Sequence, residues 1–156
     1  VPEMVAGIGT ILRPDQVVDA AANGAAFGVA PGCNPAVVRA AAKSGLSFAP
    51  GVATPSDIEV ALEIGCRFLK FFPAQASGGL EYLRSAAAPY LHLGVEFMPL
   101  GGIDENSLEE YLRWEPIVAV GGSWIATREL IKDRAWPQIE ANAAKASKII
   151  MEVRRG

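Results

Sequence analysis

Short apolar runs and amphipathic stretches take turns along the chain. Val5-Ala6-Gly7-Ile8-Gly9-Thr10-Ile11 reads as a strand ending in a polar residue. A helix follows from about Pro14, with Val17, Val18 and Ala21 on its apolar face, and Asn23-Gly24 stops it. Ala26-Phe27-Gly28-Val29-Ala30 is the next strand, closed by Pro31-Gly32. Asn34-Pro35 starts a helix as N-cap and first-turn proline, and Ser44-Gly45 ends it. Ser47-Phe48-Ala49 leads into Pro50-Gly51, and Thr54-Pro55-Ser56-Asp57 opens a third helix with capping-box spacing. Ile58, Ala61 and Leu62 form its buried stripe.

The pattern then repeats. Phe68-Leu69-Lys70-Phe71-Phe72-Pro73 is a strand ended by proline, and residues 79–88 form a helix with Leu80 and Leu83 facing in. Val95-Glu96-Phe97-Met98-Pro99 runs into Leu100-Gly101-Gly102-Ile103, followed by a helix striped by Leu108, Tyr111 and Leu112. Ile117-Val118-Ala119-Val120 is a strand closed by Gly121-Gly122-Ser123. A last helix from about Trp136 to Val153 turns Ile139, Ala143, Ala146, Ile150 and Val153 inward. Six strand-helix units in strict alternation predict an α/β fold with a parallel sheet and helical crossovers. The strands are apolar on both faces, as strands buried between layers must be. Every glycine-rich or proline-glycine turn falls at a strand's carboxyl end, the active-site face of a (β/α)8 barrel. A doubly wound open sheet is the alternative, but Gly7-Ile8-Gly9 continues without the third glycine of a dinucleotide fingerprint.

Composition narrows the function classes. A chain of 156 residues, 51% apolar and 20% charged, predicts one globular domain over 1–156 with a sizeable core. A net charge of −3 without a Lys/Arg run argues against nucleic acid as a partner. Arg154-Arg155 reads as a solvated helix tail. No apolar run approaches bilayer length, and no signal-peptide pattern opens the chain, so no membrane partner is expected. Cys33 and Cys66 are too few for a disulfide framework, which points to reduced thiols and a cytoplasmic location. With His92 alone and no ligand cluster, the expectation is an enzyme without metal or other cofactor.

The chemistry concentrates in Lys70. A buried ammonium is costly unless it is paired or its pKa falls until it is neutral. A neutral amine in a dry pocket attacks carbonyl carbon, which is Schiff-base chemistry. The bland reading is a strand-end lysine snorkelling to water along its stem. The paired glycines Gly101-Gly102 and Gly121-Gly122, with the Ser123 hydroxyl, close the last two strands, where β/α barrels commonly hold a phosphate. The competing reading is two tight turns that needed glycine.

These motifs carry a resemblance. Gly7-Ile8-Gly9-Thr10-Ile11-Leu12, Val29-Ala30-Pro31-Gly32, Pro50-Gly51-Val52-Ala53-Thr54, Lys70-Phe71-Phe72-Pro73-Ala74, Gly101-Gly102-Ile103 and Gly121-Gly122-Ser123-Trp124 occur in order along the chain. The sequence thereby resembles the 2-keto-3-deoxy-6-phosphogluconate aldolase family, class I aldolases with a trimeric (β/α)8 TIM-barrel fold. The resemblance implies that Lys70 forms an imine with pyruvate or the 2-keto substrate. It implies that Thr10, Pro31, Phe72 and Leu100 line the pyruvate end, and that Gly101, Gly102, Gly121, Gly122 and Ser123 hold the phosphate. The implied ligands are a phosphorylated 2-keto sugar acid and pyruvate, and the implied assembly is a homotrimer.

Two departures and one gap qualify the resemblance. Gln75 stands where the family has glutamate, and Leu100 where it has threonine, a lost hydrogen bond of about 1 kcal/mol. Leu100 leaves open a different keto acid, such as 4-hydroxy-2-oxoglutarate or the galactonate epimer. A full barrel has eight strands and six are legible, so the expectation is that two amino-terminal units belong with this sequence. The family's proton-accepting glutamate would lie there. Glu59, Glu63, Glu81, Glu109 and Glu110 all fall on helices, so the 156 residues alone are expected to give little turnover. A silent phosphate-binding relative and another phosphate-binding barrel enzyme are the competing functions. The latter would not need a lysine buried in Phe-Leu-Lys-Phe-Phe.

Overall fold

A first-turn proline or a capping side chain starts most of the helices, and those helices return each strand to lie parallel with the one before. The structure is a computed structural model and describes residues 4–155. Strands β1 (Gly7–Ile8), β2 (Phe27–Val29) and β3 (Ser47–Ala49) form one parallel sheet in that order. Strands β4 (Gly51–Val52), β5 (Phe68–Phe71) and β6 (Glu96–Pro99) form a second. Only Pro50 separates β3 from β4, because proline has no N–H to give the ladder. Its carbonyl still accepts from Lys70 N at 2.9 Å, so the two sheets are one curved layer.

The sixth position in this layer is held by residues 117–121; the sequence predicts a strand over residues 117–120, and the structure has two isolated bridges instead. Phe97 bridges Ile117 and Leu100 bridges Gly121. Three steps along β6 therefore oppose four along its neighbour, which leaves one extra residue as a bulge. The bulge re-aims the segment so that Gly121 N donates to Pro99 O at 3.0 Å.

The crossovers are α1 (Pro14–Ala22), α2 (Pro35–Lys43), α3 (Pro55–Glu63), α4 (Gly79–Ala87) and α5 (Glu105–Leu112), with α6 (Arg128–Lys132) and α7 (Trp136–Arg155) at the end. Asn34 caps α2 by accepting from Ala36 N at 3.0 Å. Thr54 and Asp57 close the expected box on α3: Asp57 Oδ2 accepts from Thr54 N at 2.9 Å and Thr54 Oγ1 from Asp57 N at 3.3 Å. The outward residues Leu69, Phe71 and Phe97 bury against Ile58, Leu80 and Leu83 of the helix layer. A second cluster joins Ile11, Val17, Val37 and Leu46 under α1 and α2.

Two helix faces differ from expectation by one step. On α1, Ala20 is buried with Val17, while Val18 is 57% exposed. On α7, Ile149 rather than Ile150 packs toward Leu108, Leu112 and Ala146. Ile150 is 41% exposed. At 100° per residue, a neighbouring apolar position already lies on the flank. Arg154 is not a simple solvated tail either: its Nη2 donates to Ile117 O at 2.6 Å.

The concave side of the layer is open. Phe27 and Phe68, which share the face of Lys70 by strand register, are exposed. An apolar cavity of about 250 Å³, lined in part by Phe27, Phe48, Phe68 and Met98, lies on that side.

Candidate active site

β5 is placed by its apolar alternation. Leu69 and Phe71 turn into the helix layer and are buried, which leaves Lys70 on the opposite, concave face of the sheet. Lys70 is the only buried charged side chain among the described residues, at 7% exposed. It has no ion pair among them. Burial lowers its pKa below the ordinary 10.5 of lysine, with no neighbouring charge contributing. Its Nζ stands 4.6 Å from the centre of the Phe72 ring. This is the environment of an amine that holds its proton less tightly than an exposed lysine does.

Contacts bring Pro31, Phe72, Leu100 and Gly101 toward the lysine strand. Gly51 is in register with Lys70 on the neighbouring strand. A Cβ on Gly51 would come within 2.2 Å of the Pro31 carbonyl, so glycine here lets the Pro31 turn close onto β4. Pro31, Gly51 and Lys70 thus lie side by side across three strands. On the other side, a Cβ on Gly101 would be 3.3 Å from Phe72, which packs the first glycine turn against the ring beside the lysine. Gly101 and Gly102 hold φ of 102° and 81°, values that glycine accepts without strain. Leu100 N donates to Phe71 O at 2.9 Å, and the Leu100 side chain covers Gly121, where a Cβ would meet it at 2.4 Å. Gly122 abuts the Trp124 indole, and Ser123 is exposed at the start of a three-residue 3-10 turn, Ser123–Ile125. Trp124 packs toward Leu108 and Leu112, as a core anchor.

Thr10 stands apart. It is exposed beyond the end of β1, the strand at the edge of the sheet. Its φ is 58°, a left-handed conformation that a β-branched residue adopts only at a cost of roughly 1–3 kcal/mol. Strain of this kind marks positions held for function more often than for packing.

Two residues went unread in the sequence. Gly51 had a signal, the Pro-Gly pair, but nothing local tied it to Lys70. Glu96 is a carboxylate on a strand rather than a helix. By strand alternation it shares the concave face with Lys70, but it pairs with Phe68, two residues or about 6.6 Å toward the amino end. It is exposed and forms no ion pair with the lysine. No group of three or more His, Cys, Asp or Glu among the described residues could hold a metal ion. Cys33, which follows the Pro31 turn, is a free thiol pushed up to about 11 by burial, then by Cys66 and Asp57. It is no rival nucleophile near neutral pH.

Residues 1–142 match the family model of KDPG and KHG aldolase. The 2-dehydro-3-deoxy-phosphogluconate aldolase of Haemophilus influenzae is 41% identical over 138 residues, 88% of this chain and 64% of that protein. The protein of the same name from Treponema pallidum is 38% identical over 148 residues, 95% of this chain and 70% of its own length. Among solved structures, KDPG aldolase from Legionella pneumophila, with pyruvate captured as a covalent carbinolamine, superposes with a TM-score of 0.83 at 36% identity. That match covers 97% of this chain and 69% of the other. The chain spans about two thirds of the length of these relatives. Its six β/α units are those of a (β/α)8 barrel, and the chain belongs to the KDPG and KHG aldolase family.

Proposed function

We propose that this chain carries the imine-forming lysine and the anion-binding turns of a metal-independent class I aldolase. The enzyme cleaves 2-keto-3-deoxy-6-phosphogluconate, or a related 2-keto acid, to pyruvate and an aldehyde such as glyceraldehyde 3-phosphate. The single observation behind this reading is Lys70, buried, unpaired and deprived of its ordinary proton affinity beside Phe72. Its neutral amine adds to the keto carbon and water leaves, forming an imine. Protonated, the imine draws the electron pair of the C3–C4 bond as a general base takes the C4 hydroxyl proton. The aldehyde leaves, and the enamine that forms in place of a carbanion is protonated at C3 and hydrolysed from Lys70 as pyruvate. Pro31 and Phe72 bound the pyruvate end, Leu100 covers it toward Gly121, and Thr10 contributes its hydroxyl from the edge. Gly101, Gly102, Gly121, Gly122 and Ser123 receive the phosphate through backbone N–H groups and one hydroxyl. On the family resemblance the assembly is a cytoplasmic homotrimer, which sedimentation equilibrium tests directly.

The deciding experiment is borohydride reduction with pyruvate, read by intact and peptide mass spectrometry. A pyruvate adduct is expected on Lys70 and is expected to vanish in Lys70→Met. A folded sample that takes up no pyruvate sinks the aldolase reading and leaves a silent phosphate-binding relative.

A further inference from the structure

Gln75 departs from the family pattern, and the proposed chemistry makes no use of it. Its surroundings give it a task. Ala74 N donates to Leu100 O at 2.8 Å and Gln75 N to Gly101 O at 3.0 Å, which zips the end of the lysine loop to the first glycine turn. The side chain adds a wedge. A Cβ on Gly102 would come within 2.8 Å of Gln75 Cβ and 3.0 Å of its Cγ, so the aliphatic stem presses directly on the glycine. Beyond the stem, Oε1 is 3.2 Å from the point a Cβ on Gly79 would occupy. The Tyr111 hydroxyl is 3.7 Å from the same point, and it is buried without a hydrogen-bond partner among the described residues. Gln75, an exposed residue, therefore spans the gap between the start of α4 and the Gly101-Gly102 turn, its stem against the turn and its amide toward Gly79.

We infer that Gln75 is a positioning residue: its stem sets where the Gly101-Gly102 turn stands relative to the Lys70 strand. It acts on anion binding at the turn without touching the imine. The inference rests on the reading of that turn as the phosphate site, and the test separates the two. Gln75→Ala removes Cγ and the amide, and Gln75→Met keeps Cβ and Cγ without the amide. Three readouts are taken on each: titration with inorganic phosphate followed at the Gly101 and Gly102 amides, hydrogen exchange of the amides of residues 74 and 75, and borohydride trapping at saturating pyruvate.

In Gln75→Ala, phosphate affinity is expected to fall about tenfold and exchange at 74 and 75 to quicken by about the same factor. Trapping on Lys70 stays at the parent rate, and Gln75→Met restores both phosphate affinity and exchange. Parent-like exchange in Gln75→Ala overturns the inference. So does a loss of trapping in step with the loss of phosphate, which marks general destabilisation. If phosphate moves neither glycine amide in the parent protein, the phosphate reading falls, while the exchange comparison still decides whether Gln75 holds the turn.

Discussion

Lys70 makes its case through pH. A buried lysine with a lowered pKa loses its proton at lower pH than an exposed one, so more of it is nucleophilic near neutrality. Trapping with pyruvate is therefore expected to rise with pH and level off below 10.5, the ordinary lysine value. Stability follows by linkage. Between the lowered value and 10.5 the unfolded chain binds the extra proton, so stability rises with pH across that window. Urea midpoints measured through that range check it, and Lys70→Met is expected to flatten the rise. Tyr111 is the second telling residue: its hydroxyl is buried and has no hydrogen-bond partner among the described residues. Removing such a group relieves an uncompensated desolvation, so Tyr111→Phe is expected to gain about 1 kcal/mol in urea unfolding. A loss instead would show that the hydroxyl has a partner. Lys70 was legible because an ammonium among apolar strand residues is anomalous in one dimension. The roles of Gly51 and Gln75 were not, because what each touches is far away along the chain: Pro31 for the one, Gly102 and Gly79 for the other.

At the scale of elements, local chemistry decided most boundaries. The caps at Asn34 and Thr54 start their helices where the sequence puts them; the Asp104 cap of α5 carried a local signal that went unread. Thr54→Ala is expected to cost about 1 kcal/mol, read as a shift in the urea midpoint. Because α3 covers Leu69 and Phe71 through Ile58, Ala61 and Leu62, beyond the capped first residues, trapping on Lys70 is expected to survive that change. Element-level reading failed where pairing, not composition, decides. Residues 117–121 have the apolar run of a strand, yet their register against β6 needs an extra residue, and no local signal announces it. The apolar faces of α1 and α7 slipped for a related reason. Consecutive apolar pairs such as Val17-Val18 and Ile149-Ile150 fit the helical period either way, and only the neighbouring helix selects one.

At the scale of the molecule, the six-unit layer presents Lys70 and both glycine turns but no carboxylate beside the lysine among the described residues. Cleavage needs a group to accept the C4 hydroxyl proton, and such general bases contribute roughly 10²–10⁴-fold. The 156-residue chain is therefore expected to form the pyruvate adduct readily and to cleave phosphorylated keto acid that much more slowly than its longer relatives. A coupled aldehyde assay run beside the trapping experiment measures both. Turnover equal to a relative's would mean that another group, Glu96 being the strand carboxylate available, does the proton transfer.

The alternation of strands and helices through β6, the capped starts of α2 and α3, the lysine and the glycine pairs were determined by the sequence alone. Each follows from interactions between residues close along the chain: hydrophobic period, cap spacing, and the backbone freedom of glycine. What only the tertiary structure decided is which of these meet. It closed the Pro31 turn onto Gly51, laid Gly101 against Phe72, pressed Gln75 under Gly102, and left Thr10 strained on the open edge. Those contacts depend on the curvature and register of a parallel layer, and register is a property of strand pairs that no single segment encodes.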